Sequence, residues 1–444
     1  MDWTHIPIHI FYGDYHRPSV AWCSVRKFSF TDITYDAIPA PATHHVHKIK
    51  QNHNKQPLLG QSIMRELTTT ICNEFRAIFG DEGVRLILII APIIYSTIYS
   101  LTYGTQVLRD IPIGVIDEDK TPASRELINI LDTGANAVVA YEPTDMEDAK
   151  RLFFNRKIYG IAYIPNGYQR QLLAGNTATV AIYLDASYML MYRQVFQDMV
   201  AGLETTGAAV EFRRMLSMGV EIPTAKAIVE PIKYTSHTLF NPYLGYGSFV
   251  MPPVIILILQ QTLLIGICMI GGTRREKNFS AQAHIAENSC TQILGRVVTY
   301  LIIYAVLSLY LLTIHYRLFH YPMNGNMWSI VLFMGVYLTA CSLFGIAASS
   351  LFRQRETPLM LLLWISIPLL MLSGVSFPTS AIPRYLQWLA AVFPSTFGTR
   401  AFVKLQTMGA SLRDIFPELR ALLLLILVYF ALIGLGTHKN RAQK

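Results

Sequence analysis

The sequence predicts a polytopic α-helical membrane protein of about six transmembrane helices, with one α/β domain inserted outside the membrane. Three observations carry that prediction. Only 15% of the 444 residues are charged and 52% are hydrophobic, whereas an average soluble protein is about 25% charged. Six apolar windows are long enough for a hydrocarbon core that needs about 20 residues: Leu86–Arg109, Tyr246–Thr273, Val297–Tyr316, Leu318–Phe352, Thr357–Pro383 and Ala421–His438. Between the first and second windows lies a domain-sized stretch of soluble composition, with 13 basic and 16 acidic residues from Thr105 to Phe240.

In chain order, residues 1–63 have mixed composition and no apolar period. Their tract His44-His45-Val46-His47, followed by His53, lacks fixed ligand spacing, and Met64 stands where an amino-terminus could begin. The segment reads as a disordered or misassigned extension. Over residues 64–83, Leu67, Ile71, Phe75, Ile78 and Phe79 recur at helical spacing, which predicts an amphipathic helix along the inner membrane surface. The first transmembrane helix follows at 84–104.

Residues 105–240 alternate strand-like runs (Ile111–Ile116, Ala137–Tyr141, Ile158–Ile164, Ala178–Leu184) with helical patterns. Thr121-Pro122 predicts a capped helix start, and Thr144-Asp-Met-Glu147 a capping box. A long helix from about Tyr188 to Met218 and a last strand near Ile228–Tyr234 complete the expected extracytoplasmic domain. Residues 241–444 hold the second to sixth transmembrane helices. Pro92, Pro252, Pro253, Pro358 and Pro368 predict broken or kinked spans.

Basic residues set the orientation. Twelve of them flank one side, from Arg65 through Arg274, Arg353 and Lys439 to Lys444, against six on the other. This puts both termini in the cytoplasm and the α/β domain outside. The net charge of +8 therefore reads as a topology signal, not a nucleic-acid footprint. The five cysteines show no metal spacing, and none lies in the inserted domain.

The inserted domain has no Gly-x-Ser-x-Gly elbow, no His-Glu-x-x-His pair and a single histidine, His237. No catalytic, cofactor or metal site is predicted. The chain has no Gly-Lys dipeptide, hence no phosphate loop, so any ATP and Mg belong to another polypeptide. The turn Asp117-Glu118-Asp119 reads as a solvated cap region before a cation site. No charge sits near the centre of a span, which argues against an ion-driven carrier. Gln260-Gln261-Thr262 falls mid-span, where amides need a partner: a neighbouring helix first, a substrate path second.

Two stretches are more specific. Gly271-Gly-Thr-Arg-Arg-Glu-Lys-Asn-Phe-Ser280 lies between the second and third spans, ahead of a short helical segment to about Gln292. Leu372-Ser373-Gly374, Phe377-Pro378, Ile382-Pro383, Leu386-Gln387-Trp388-Leu389 and Pro394-Ser-Thr-Phe397 follow the fifth. Tyr385, Trp388, Leu389 and Val392 recur at i, i+3, i+4 and i+7, an interfacial stripe. In position and wording, with one span, a large insert and five more spans, the chain from Met64 to Lys444 resembles the ABC-2 (type V) exporter permeases. It departs from them at Phe279-Ser280 and Ser289-Cys290, where the family carries Gly-Thr and Thr-Pro or Ser-Pro pairs.

The resemblance implies a permease subunit of an ATP-driven exporter in a bacterial cytoplasmic (inner) membrane, moving a drug, lipid or glycan with a separate cytoplasmic ABC ATPase. It assigns ATPase coupling to loop 274–292, starting at Arg274, Arg275, Glu276 and Lys277. It also assigns an outer re-entrant segment to 378–405, with Pro378, Pro383, Trp388 and Pro394. Gln260 and Gln261 become candidates for the substrate path. Expected partners are a second permease copy or paralogue, a periplasmic adaptor, and membrane lipid. The competing expectation is a non-transporting surface protein whose outer domain is a receptor or a secretion-associated binding module.

Overall fold

A computed structural model describes residues 59–442, apart from 105, 234, 243, 278–289 and 375–376. The histidine tract and the centre of the predicted coupling loop thus lie outside the described residues. The first helix, α1 (Leu59–Phe79), begins ahead of Met64, within the stretch assigned to an extension. After a short turn Asp81 caps α2 (Glu82–Thr102), its carboxylate accepting the Val84 N–H at 3.1 Å. Pro92 is accommodated in α2 by a widened turn just before it, Leu86–Ile90.

The chain then folds a four-stranded sheet from β1 (Ile111–Asp117), β2 (Ala137–Tyr141), β3 (Gly160–Ile164) and β4 (Ala181–Leu184), in the order β2-β1-β3-β4. The first strand runs parallel to β2 and β3, and β4 pairs antiparallel with β3. The parallel pairings need crossovers, supplied by α3 (Pro122–Asp132) and α4 (Met146–Phe154). The short α5 (Tyr168–Leu173) precedes β4, and α6 (Met189–Ser217) with α7 (Ile222–Val229) follows it. One core packs Ile113, Val115 and Ala162 against Leu127 and Leu131 of α3 and Val195 and Met199 of α6. A smaller one holds Ile116, Ile158 and Ile161 against Ala149 of α4.

Local polar chemistry fixes these joins. Thr121 caps α3 with a reciprocal bond to Ser124. The cap of α4 is Asp145, not Thr144, because its carboxylate accepts the Asp148 N–H at 2.7 Å. The acids of the 117–119 turn are engaged in structure: Asp117 takes the Asp119 and Lys120 amides and the Ser124 hydroxyl, and Glu118 takes the Tyr163 hydroxyl. For Asp119, burial opposes the charge, yet the Thr121 hydroxyl and the Gln169 and Gly167 amides outweigh it and hold the carboxyl below its ordinary value. The strand expected at Ile228–Tyr234 does not form: α7 runs to Val229, and Pro231, unable to donate to a ladder, breaks the run of residues after it.

The chain returns through α8 (Tyr246–Lys277), α9 (Cys290–Leu318), α10 (Met327–Ser349), α11 (Thr357–Leu372) and, after a connecting segment, α14 (Phe416–Ala442). The segment holds α12 (Arg384–Ala391) and α13 (Pro394–Phe402). Among the described residues five helices are long and apolar enough to cross a membrane, and the chain is a multi-pass membrane protein. The expected sixth, α11, has 16 residues, about 24 Å at 1.5 Å per residue against a core of about 30 Å. The apolar window around it runs on past Gly374, whose φ of +87° turns the chain out of the helix. Pro358 is among its first residues, where a missing N–H costs no helical hydrogen bond, and Pro368 lies inside the helix.

Asp198 of α6 accepts the Asn136 and Ala137 N–H groups, at 2.5 and 2.9 Å, and the Asn136 amide at 3.0 Å, tying α6 to the start of β2. Asp198→Ala leaves those donors unmatched, at about 1–3 kcal/mol each. Hydrogen exchange on the full chain should show the amides at 136 and 137 exchanging at least tenfold faster, with amides of α14 unchanged.

Candidate functional site

At the bundle end away from the sheet, the last turn of α8 carries Arg274, Arg275 and Glu276, which the structure ties inward. Glu74, on the α1 face toward α9, is only 1% exposed. Arg274 donates to Glu74 Oε2, the Tyr300 hydroxyl donates to Oε1, and Arg296 Nε lies 3.9 Å from Oε2. The two helices approach closely there: a Cβ on Gly295 would stand 2.9 Å from Thr70 Cβ. The α1 stripe turns partly toward protein: Ile78 is buried, Leu67, Ile71 and Phe75 are half-buried, and Phe79 is exposed.

Arg275 donates to the carbonyls of Ser349 and, at 2.5 Å, Phe352, placing a cation at the α10 C-terminus. Glu276 accepts the Arg355 N–H at 2.8 Å. Arg355 in turn donates to Asp81 at 2.6 Å, the residue that caps α2. The side chain of Lys277 and residues 278–289 lie outside the described residues. Four segments meet in this node: α1 with the start of α2, the end of α8, the start of α9, and the link from α10 to α11.

At the sheet end, Pro378 precedes a single turn, Thr379–Ala381, and Pro383 precedes α12. Gln387 donates to the carbonyls of Thr379 and Ile382, at 2.8 and 2.7 Å, folding the turn onto α12. Trp388 is 74% exposed and Tyr385 and Leu389 are exposed beside it, whereas Pro394 is buried at the start of α13. That start is latched to α8: Gln260 Oε1 accepts the Ser395 N–H at 2.6 Å, and Gln260 Nε2 donates to Ser395 Oγ at 3.0 Å. Gln261 differs, because both amide atoms are buried and neither has a partner among the described residues. A Cβ on Gly398 would fall 2.4 Å from the Tyr337 ring, so α13 seats on α10 only with glycine there.

Residues 83–435 match the family model described as ABC-2 family transporter protein. The chain belongs to the ABC-2 transporter family. The probable multidrug ABC transporter permease YbhR of Escherichia coli K12 is 22% identical over 82% of this chain and 95% of its own length. The inner membrane transport permease YhhJ of the same organism is 22% identical over 85% of this chain and 98% of its own. ABC transporter G family member 23 of Dictyostelium discoideum is 22% identical over 79% of this chain, which spans 49% of that longer protein. This ABC-2 chain is thus a transmembrane permease component of an ABC transport system.

Placed in the ABC-2 permease, the sequence-selected residues separate. Arg274, Arg275 and Glu276 come together, and so do Gln260 and Pro394 through Ser395; Trp388 stays at the surface, away from both groups. Sequence reasoning missed Glu74, Asp81, Arg296, Tyr300 and Arg355. For Glu74 a signal existed: it lies three residues after Ile71 and four before Ile78, an acid on the apolar stripe itself.

Removing one partner of a buried ion pair costs about 3–5 kcal/mol, because the other charge stays buried. Glu74→Ala should therefore lower the thermal stability of the detergent-solubilised chain by that order, and Glu74→Leu combined with Arg274→Met should restore most of it. Equal losses for single and double variants would show that the pairing is not what matters there.

Proposed function

We propose that the chain is one half of an ATP-driven exporter, and that a separate cytoplasmic ATPase docks on the loop between α8 and α9. The observation that carries this reading is that one buried carboxylate, Glu74, takes donors from both flanks of that loop: Arg274 before it, Arg296 and Tyr300 after it. A loop so bracketed cannot shift without moving α1 and, through Asp81 and Arg355, the start of α2. The ATPase holds ATP and Mg, and its differing affinity for ATP and ADP supplies the free energy that switches the bundle. On this reading Arg274 and Arg275 brace the loop from within, and the docking contacts belong to residues 278–289.

On this reading this end and both termini lie on the cytoplasmic side of a bacterial inner membrane, which the excess of basic residues there supports. The sheet domain then faces outward, where substrate or a periplasmic adaptor meets it. A second copy or a paralogue completes the pathway. The exposed apolar face of α11, with Met360, Trp364 and Ile367, supports a route between two halves. A hydrophobic or amphipathic substrate, of the drug, lipid or glycan class, suits such walls.

The test is co-purification of the solubilised full chain with its ATPase, comparing wild type with a chain in which residues 278–289 become a Gly/Ser linker of equal length. The expected result is recovery of a nucleotide-binding subunit with wild type and a loss of at least tenfold with the linker, at unchanged melting temperature. Recovery of no ATPase with wild type, or equal recovery with both, would reject the docking assignment.

A further inference from the structure

The segment joining α13 to α14 sets two cations one helical turn apart. Arg400 lies in the last turn of α13, and Lys404 on the widened turn Val403–Thr407 that follows. Lys404 donates to Glu418 Oε1 at 2.6 Å, and Glu418, near the start of α14, is 9% exposed. The Arg400 Nε–H is buried without an acceptor among the described residues, and Glu418 Oε2 is buried without a donor. Arg400 packs against the turn that ends α11, where a Cβ on Gly374 would stand 3.7 Å from Nε.

Lys404 is matched by Glu418 Oε1 and by the charge of Asp414, whereas Arg400 has only the Glu418 charge near it and no acceptor at Nε, in surroundings that include buried Phe402, Leu405 and Ile415. An arginine in such a place is stable when an anion reaches it, and its planar fork of N–H donors fits a phosphate with two parallel bonds. The exposed apolar side chains of Phe377 and Phe416 lie on the same segment and its margin, where the chains of an amphiphile would run.

We propose that Arg400, with Lys404 beside it, is a binding site for a phosphate group at the sheet end of the bundle. Two sources share that chemistry, the headgroup of a phospholipid-like amphiphile and free inorganic phosphate. Binding needs no ATPase, so its failure would leave the transport reading untouched.

The test is the thermal unfolding of the full chain in a neutral detergent, titrated with a short-chain phosphatidylglycerol, with the matching diacylglycerol that lacks phosphate, and with inorganic phosphate. Wild type should be stabilised by a phosphate-bearing ligand and not by the diacylglycerol. A shift with phosphatidylglycerol alone assigns the site to a headgroup, and an equal shift with inorganic phosphate assigns it to the free anion. Arg400→Gln should weaken that binding at least about tenfold, the loss of one charge-assisted contact. Glu418→Gln removes the competing carboxylate, so binding should tighten even if stability falls. No phosphate-dependent shift in wild type, undiminished binding by Arg400→Gln, or lost stability without tighter binding in Glu418→Gln would each overturn the assignment, the last because Arg400 would then be a brace for Glu418.

Discussion

In lipid an apolar helix is stable against hydrocarbon or against protein, and α8 lies almost wholly against protein: 94% of its membrane-crossing window is buried within the chain. The elements α2, α10, α11 and α13 all lie against it. Two contacts are close enough to require glycine, since a Cβ on Gly266 would strike Leu88 of α2 at 2.4 Å, and one on Gly345 of α10 would meet Ile267 at 2.8 Å. Between apolar helices in lipid the hydrophobic effect gives little net attraction, so close packing and interhelical hydrogen bonds must supply it. The polar residues of α8 therefore act as joints: Thr262 receives the Tyr304 hydroxyl of α9 at 2.9 Å, Gln260 holds α13, and Arg274 holds α1.

Burial decides which ion pairs matter. In the sheet domain Lys150–Glu147, Arg151–Asp148 and Arg213–Glu126 are largely exposed, and such pairs contribute about 0–1 kcal/mol. That domain is held instead by its two apolar cores and by acids that cap backbone amides, Asp117, Asp119 and Asp198 among them. Glu74 is the opposite case. With 2% of its side chain exposed it cannot rely on water, and Arg274, Tyr300 and Arg296 stand in as its partners. An interaction of that kind specifies an arrangement more than it adds stability, which suits a node where four segments must keep register.

The strands were legible because each is a short β-branched run between turn residues: the sequence reading of β2 coincides with the structure, and those of β1, β3 and β4 differ by one to three residues. The spans were legible as uncharged windows, but absence of charge does not report where a helix stops. That is why the window around α11 overran the Gly374 turn, and why the strand drawn across Pro231 became the end of α7 and a loop. The charged residues at the end of α8 stood out by wording and position, whereas their partners did not. Glu74 and Arg274 are 200 residues apart, and nothing local in either stretch announces that one buried acid serves both. Likewise the pair Gln260-Gln261 reads as one feature, and only the fold separates a satisfied latch from an unsatisfied amide.

The two ends of the bundle are joined by a short rigid path. Gln260 and Arg274 sit on one uninterrupted helix, and the fourteen residue steps from one to the other span about 21 Å at 1.5 Å per residue. The prolines of α8, Pro252 and Pro253, fall outside that interval, toward the sheet end. A helix with its hydrogen bonds intact over four turns transmits tilt and translation with little loss, because bending concentrates at prolines and inserted turns. A displacement imposed at Arg274 therefore reaches Ser395 through Gln260, whose amide grips both the backbone N–H and the hydroxyl of that residue. Because α13 is packed on α10 at Gly398 and followed by the Lys404–Glu418 contact to α14, it is held to both helices as one piece.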